Sequence, residues 1–439
     1  MEIIHDNEMS SDLYNIDYSL EKFKDVFCKN LCEHNECSII PIHISILKHY
    51  NYLLGYEYGD RILKKVIEKI KYRIEENGNM YRFGGSTLLV ILNESCKQKI
   101  IGIVETIIKD FNEPIKIKDK ELKVFLNIGI VHYPEDSKEV HTIFKYIEIV
   151  LDGVKKKYKN TYRFLNHKMV QKHIKKCQYE KEILNAINNG EFKIYYQSIV
   201  DISNKSICSF EALLRWNHPK DGIIMPLDFI DILESSGIII DVGKFIFKEV
   251  CNEIKNIKKL AKRDISVSIN VSECQLLDDT FLEFIDETLD KTEVEAKNIN
   301  LEIIERSMLE STEKTLNVLK ELKSRGFGVI IDDFGTKYSA LNYLCNFPIS
   351  GFKIDKFFIE KIPNSYKEAI VLKNIIQLAK ELGIDVVAEG VERVEQLEFL
   401  QSVNCNKIQG FIFSKPFPCE ELYKEKFDLG GIFVPLPLN

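Results

Sequence analysis

Phe210-Glu211-Ala212-Leu213-Leu214-Arg215-Trp216 sets one carboxylate and one guanidinium in an otherwise apolar run. The wider segment 207–216 reads as a buried strand, stopped by Asn217-His218-Pro219. Near-continuous apolar strands belong to parallel sheets covered on both faces. A charge inside such a strand is costly unless it is paired or bound to a metal. Read alone, the stretch also admits a plainer account, an acid at a strand end that turns into water.

Outward from it, strands and helices alternate. Strands are expected over 192–200, 207–216, 265–271, 299–304, 329–332, 351–354, 385–388 and 407–413. Helices are expected over 227–236, 242–262, 279–290, 312–324, 339–345, 367–382 and 394–402. This is the pattern of a TIM-like (β/α) barrel, and 183–430 has the usual size for one. Strand after strand ends in a polar group: Gln197, Glu211, Asn270, Glu302, Asp332-Asp333, Lys353, Glu389 and Gln409. In a barrel all of these converge on one face. Hard oxygen ligands around one lysine suit one or two Mg²⁺ or Mn²⁺ ions and a phosphate ester.

This half closely resembles the EAL family of cyclic di-GMP phosphodiesterases. The resemblance rests on Tyr196-Gln197, Glu211 to Trp216, Asn270-Val271-Ser272, Leu301-Glu302-Ile303-Ile304-Glu305, Asp332-Asp333-Phe334-Gly335-Thr336, Lys353-Ile354-Asp355, Ala388-Glu389-Gly390-Val391-Glu392 and Gln409-Gly410. It implies that Glu211, Asn270, Glu302 and Asp332 hold one metal and that Asp332 bridges to a second beside Asp333. Lys353, Glu389 and Asp333 are implied in catalysis, with Glu389 either a base or a metal ligand. Gln197, Leu213, Arg215, Asp355 and Gln409 would contact the substrate, Arg215 through its phosphate. Glu305 would brace the loop after the fifth strand. The implied reaction is metal-dependent hydrolysis of cyclic di-GMP to linear 5'-pGpG. A silent cyclic di-GMP receptor acting through a protein partner is the alternative, and hydrolysis of pGpG or another cyclic dinucleotide is a third. Three positions depart from the family: Ser198 replaces a proline, Lys337 a glycine, and Arg393 a threonine.

The first half interleaves helices with hairpin strands, as an α/β sandwich does. Strands are expected over 38–47, 81–92 (as a hairpin turning at Gly84-Gly85), 115–117 and 122–132. Helices are expected over 19–31, 59–75, 100–111 and 140–157. Residues 35–167 resemble a degenerate GGDEF (diguanylate cyclase) domain through Gly84-Gly85, Asn51, Gly55, Gly59-Asp60, Asn127-Ile128-Gly129, Tyr133-Pro134, Lys155 and Lys159-Asn160. Where the family continues Asp-Glu-Phe, this chain has Ser86-Thr87-Leu88, and His43 and Ser45 replace its upstream acids. Neutral groups there do not supply the oxygen charge that Mg²⁺ requires, so no cyclase activity is expected. Glu75 and Gly78 occupy the family's product-inhibition positions, so that site is absent. Asn51, Asp60 and Lys155 leave open a GTP-binding regulatory role. The plainer reading makes Asp60 a helix cap and Asn51 a turn residue.

Between the halves, 168–182 reads as a helical connector. Residues 1–34 form an N-terminal helical segment and 431–439 a C-terminal tail. The chain has 439 residues and a formal charge of −7, with 60 basic and 67 acidic residues spread along it. No basic tract points to a nucleic-acid polymer, and no apolar run is long enough for membrane insertion. Eleven cysteines without regular spacing fit reduced thiols in a cytoplasmic protein. Cys28, Cys32, His34 and Cys37 admit zinc, but a half-buried helix with spare cysteines explains them better. A homodimer is implied by the resemblance alone.

Overall fold

A computed structural model of the chain describes residues 36–74, 77–154, 160–261, 264–305, 313–335 and 347–422, together with Tyr14–Asn15. It divides into two compact units, Met1–Cys177 and Gln178–Asn439.

In the first unit, strands β1 (Tyr14–Asn15), β2 (Cys37–Ile44), β3 (Gly78–Arg82), β4 (Thr87–Leu92), β7 (Leu126–Tyr133) and β8 (Thr161–Phe164) form one sheet, in the order β1-β3-β4-β2-β7-β8. A separate hairpin joins β5 (Ile115–Ile117) to β6 (Lys120–Leu122). Strand β2 carries apolar residues on both faces. Ile40, Ile42 and Ile44 pack in one core with helices Tyr56–Ile74 and Lys97–Asp110. Cys37 and Ile39 pack in another with helix Val140–Val154. Two covered faces account for the lack of polar alternation. The β3–β4 hairpin turns at Gly84, whose φ of +111° suits only glycine.

Several expectations change here. Helix Tyr56–Ile74 begins before Gly59, and a further helix, Leu47–Leu54, precedes it. Asn51 and Asp60 therefore lie inside helices, and neither a turn nor a cap describes them. The two helices meet so closely that a Cβ on Gly59 would fall 1.6 Å from Asn51 Oδ1. The expected strand over 122–132 is split between β6 and β7. Residues 14–15, assigned to a helical segment, pair in parallel with Tyr81 and Arg82. Cys37 is a core residue on a strand, and burial pushes its thiol up to about 11. Cys28, Cys32, His34, the helix over 19–31, Glu75 and Lys155 lie outside the described residues.

The second unit is a closed eight-stranded barrel. Its strands are β9 (Phe192–Asp201), β10 (Ser206–His218), β12 (Ser266–Asn270), β13 (Ile299–Ile304), β14 (Gly328–Phe334), β15 (Gly351–Ile354), β16 (Asp385–Ala388) and β17 (Lys407–Gln409). Short strands β11 (Gly222–Ile224) and β18 (Phe417–Pro418) pair onto β10 and β9. Pairings of β9 with both β10 and β17 close the circle, and both are antiparallel. The expected parallel setting of β10 thus holds on its β12 side only. Its link to β9 is too short for the dozen or more residues that a parallel crossover needs. A hairpin is the only connection that short spacing permits. Gln197 and Glu211 consequently lie within their strands, paired with each other. The final strand ends at Gln409, short of the expected 413.

Helix His167–Ala186 outlasts the expected connector on both sides, and its last turns bind the rim of β10. Tyr179 donates to Asp221 at 2.9 Å and meets Trp216 edge-on at 5.2 Å. His218 Nδ1 accepts from the Lys220 and Asp221 amides at 3.3 and 3.1 Å. Its Nε2 therefore carries the proton donated to Glu182 at 2.7 Å. His218→Ala removes the buried ring that accepts from two amides and donates to Glu182, a loss of about 1–3 kcal/mol. Trp216 is the chain's one tryptophan, so its fluorescence reports this barrel. The variant's fluorescence melting midpoint should fall by several degrees, and an unchanged midpoint would show that the contact is not stabilising.

Candidate active site

Alternation along β10 turns Glu211, Leu213 and Arg215 to one face, with Phe210, Ala212, Leu214 and Trp216 on the other. Lys353, from β15 on the opposite side of the circle, is 1% exposed and stands among four carboxylates. Its Nζ lies 2.8 Å from Glu211, 2.9 Å from Glu302, 2.5 Å from Glu389 and 3.9 Å from Asp332. Asn270 Nδ2 donates to Glu211 Oε1 at 2.8 Å, which leaves Asn270 Oδ1 for a cation.

Asp332 and Asp333 depend on a backbone irregularity. Ile331 pairs with Phe352 and Phe334 with Ile354, so two residues of β14 oppose Lys353 alone. This is a β-bulge, and Asp333 takes φ +55° within it. Regular alternation would send the two carboxylates to opposite faces. Instead, oxygens of Asp332, Asp333 and Glu389 all lie within 4.8 Å of one another. Gly335 N donates to Glu305 Oε2 at 3.1 Å, tying the end of β14 to the end of β13. Lys337 lies outside the described residues.

The charges are unevenly settled. Burial opposes ionisation of Glu211, but Lys353, Gln409 and Asn270 prevail and hold its carboxyl below the ordinary value. Burial raises Glu302 well above the usual range despite Lys353, aided by Glu211 and Asp332. Burial likewise raises Asp332. It pushes Asp333, beside Asp332 and Asp355, up to about 7. Glu389 is pushed up to about 8 by burial and the neighbouring acids. Burial disfavours the Lys353 ammonium, but the four acids hold it well above its ordinary value.

The donor set fits hard dications. Among the described residues the buried Glu302 Oε1 has no hydrogen-bond partner, a costly arrangement unless a cation takes it. Cation binding requires deprotonated carboxyls. Acids raised to about 7 and about 8 compete with protons below those values. Mn²⁺ affinity should therefore climb as pH rises from 6 to 8.5, with proton release on binding. Calorimetry in buffers of different ionisation enthalpy measures both, and a flat profile would contradict it.

Arg215 is 6% exposed. It donates to the Leu214 carbonyl at 2.7 Å and stacks 5.5 Å from the Tyr195 ring centroid. It makes no ion pair with a described carboxylate, so most of its guanidinium donors remain available. Asp355 caps helix Lys356–Ile359 by accepting from Phe357 N at 2.7 Å. Gln197 and Gln409 reach Glu211 as a connected pair, with Gln409 Nε2 2.6 Å from Glu211 Oε2. Sequence reasoning missed Ser414, whose carbonyl accepts from Gln197; no motif marks it.

In the first unit, the positions expected to lack metal ligands carry hydroxyls and an imidazole that are engaged with neighbours. His43 Nδ1 lies 3.3 Å from Thr87 Oγ1 and 3.4 Å from Ser86 Oγ. Ser45 Oγ accepts from Asn127 at 2.6 Å. Asp60 is exposed on its helix, and Asn51 Oδ1 is buried against Gly59.

An EAL domain family model matches residues 180–416. A second, described as diguanylate cyclase, GGDEF domain, matches residues 7–161. Among curated relatives, the bifunctional diguanylate cyclase/cyclic di-GMP phosphodiesterase MucR of Pseudomonas aeruginosa is 29% identical over 88% of this chain and 56% of its own length. The signaling protein YkoW of Bacillus subtilis is 30% identical over 94% of this chain and 52% of its own. The cyclic di-GMP phosphodiesterase PdeR of Escherichia coli is 28% identical over 90% and 60%. The chain thus spans about half the length of the curated relatives it matches. Among solved structures, the PaMucR phosphodiesterase in complex with c-di-GMP aligns with TM-score 0.54 at 32% identity, over 56% of this chain and 99% of that one. The Vibrio cholerae LapD S helix-GGDEF-EAL structure aligns with TM-score 0.65 at 20% identity, over 91% and 94%, a likeness of fold.

Proposed function

The chain belongs to the EAL-domain family, and we propose that its barrel hydrolyses cyclic di-GMP to linear 5'-pGpG with Mg²⁺ or Mn²⁺ bound. The observation that carries this reading is Lys353 buried among Glu211, Glu302, Asp332 and Glu389, with Asn270 beside them. Glu211, Asn270, Glu302 and Asp332 would hold one ion, and Asp332, Asp333 and Glu389 a second. When bound, such ions lower the pKa of water toward neutrality and polarise a phosphoryl oxygen.

The chain's own residues supply the rest. Arg215 grips the phosphate away from the carboxylates through its free guanidinium donors. Lys353 neutralises charge growing on phosphorus as water attacks and the ribose 3'-oxygen leaves. Glu389, beside Lys353, serves either as a ligand of the second ion or as the base that takes the water's proton. Leu213 and Asp355 flank the substrate. Glu305 fixes the segment after Asp333 by holding Gly335 N.

The first unit acts as a regulatory or structural module without cyclase activity, its metal positions being His43, Ser45, Ser86 and Thr87. Whether Asn51, Asp60 and Lys155 take GTP is tested with the same protein. The chain is proposed to work in the cytoplasm as a homodimer; among the described residues no helix is long and apolar enough to cross a membrane.

The test is turnover of cyclic di-GMP by the purified chain with Mg²⁺ or Mn²⁺, with and without GTP, followed by product chromatography. pGpG should appear, and Glu211→Ala should abolish it. Tight binding without turnover under both metals would make the protein a receptor instead. Formation of cyclic product from GTP would overturn the silent first unit.

A further inference from the structure

The Glu211 carboxylate is held by the protein on both oxygens, but unequally. Oε2 accepts from Lys353 at 2.8 Å and from Gln409 Nε2 at 2.6 Å. Those two bonds use both lone pairs of an sp² oxygen. Among the described residues Oε1 accepts from Asn270 alone, at 2.8 Å, and keeps one lone pair.

Gln409 does not act alone. Its amide nitrogen also donates to Gln197 Oε1 at 3.0 Å, which uses both of its N–H groups. Gln197 Nε2 in turn donates to the Ser414 carbonyl at 3.1 Å. A backbone carbonyl only accepts, so the chain of amides has one direction. Flipping Gln197 would set oxygen against the Ser414 oxygen, and flipping Gln409 would set oxygen against the Glu211 carboxylate. Both glutamines are buried, at 7% and 4% exposure, so water cannot substitute for a lost partner. Ser414 is itself anchored: its Oγ pairs with Ser198 Oγ at 2.7 Å and accepts from Ser198 N at 3.4 Å. Ser198 thus provides a hydroxyl and an N–H where a proline would provide neither.

We propose that Gln197, Gln409 and Ser414 are positioning residues for Glu211, assigning Oε2 to the protein and leaving Oε1, on the Asn270 side, as the oxygen offered to a divalent cation. The inference rests on the metal-dependent reading above. It replaces, for both glutamines, the nucleotide contact that the family resemblance implied.

The test uses full-length Gln409→Leu and Gln197→Leu, titrated with Mn²⁺ by calorimetry without nucleotide. Turnover is then measured at saturating Mn²⁺. Both variants should bind Mn²⁺ about 10-fold more weakly, the usual effect of removing a group that orients a ligand. At saturating Mn²⁺ their KM for cyclic di-GMP should match the parent, with kcat largely restored. Gln197 does not touch Glu211, so its variant reads the chain even if Gln409→Leu fails to fold. Unchanged Mn²⁺ affinity with a raised KM would overturn the proposal and return the glutamines to the nucleotide. A parent protein that binds no Mn²⁺ would instead remove the reading beneath it.

Discussion

Lys353→Met should lower cyclic di-GMP turnover by roughly 10²–10³-fold and make the barrel's stability depend on metal. Lys353 is 1% exposed and contacts three carboxylates at 2.5–2.9 Å, with a fourth at 3.9 Å. Removing one partner of a buried ion pair costs about 3–5 kcal/mol, because the remaining charge stays buried and unpaired. In EDTA near neutral pH, the Trp216 fluorescence transition should therefore move to clearly lower temperature. Two further signs follow. Acidification protonates the stranded acids, so the deficit should shrink from pH 8 to pH 5. Mn²⁺ replaces the missing positive charge, so it should stabilise the variant more than the parent. Equal melting of variant and parent in EDTA would mean that Lys353 does not neutralise this cluster.

Glu302→Gln should separate metal binding from folding. Glu302 is fully buried and its carboxyl is raised well above the usual range by burial. Glutamine copies its size and shape and keeps a polar atom toward Lys353, 2.9 Å away. The melting temperature in EDTA should stay within a few degrees of the parent, equivalent to about 1 kcal/mol. The stabilisation added by Mn²⁺ should vanish, and turnover should fall to background. Glu302 Oε1 has no hydrogen-bond partner among the described residues, so the lost atom serves no structural bond there. A variant that melts far lower in EDTA would assign Glu302 to the scaffold. One that keeps metal-dependent stabilisation would remove it from the ligand set.

The two substitutions act on neighbouring side chains with opposite expectations in EDTA. Their contrast distinguishes a cation that holds the cluster together from an acid that waits for one. Non-additive effects are expected in the double variant, because the pair is in contact.

Most of the barrel was legible because its strands are apolar runs of the right length, separated by amphipathic helices. Strands 299–304, 351–354 and 385–388 and helix 394–402 fall where the pattern placed them. Glu211, Glu302, Lys353 and Glu389 stood out because a charge in an apolar run needs a partner. The reversed direction of β9 was also available, in the few residues between 201 and 206, although the strand pattern alone hid it. In the first unit, both sheet faces are buried, so periodicity could not say which helix covers which face. Helix starts were misplaced for a related reason: Leu47–Leu54 and Tyr56–Ile74 are separated by Gly55 alone.

Tertiary structure alone decided three things. Asp332 and Asp333 reach the same cluster only because β14 bulges opposite Lys353 and Asp333 adopts φ +55°; alternation along a strand would have parted them. Gln197 and Gln409 are 212 residues apart, and only barrel closure brings their amides together beside Glu211. Ser414 joins through its carbonyl, an atom common to every residue, so no side-chain identity could have marked it. The sequence determined which charges had to be buried together, because apolar strands leave them no water. The backbone determined which oxygen of each faces its neighbour, because hydrogen-bond direction is a property of geometry rather than of residue type.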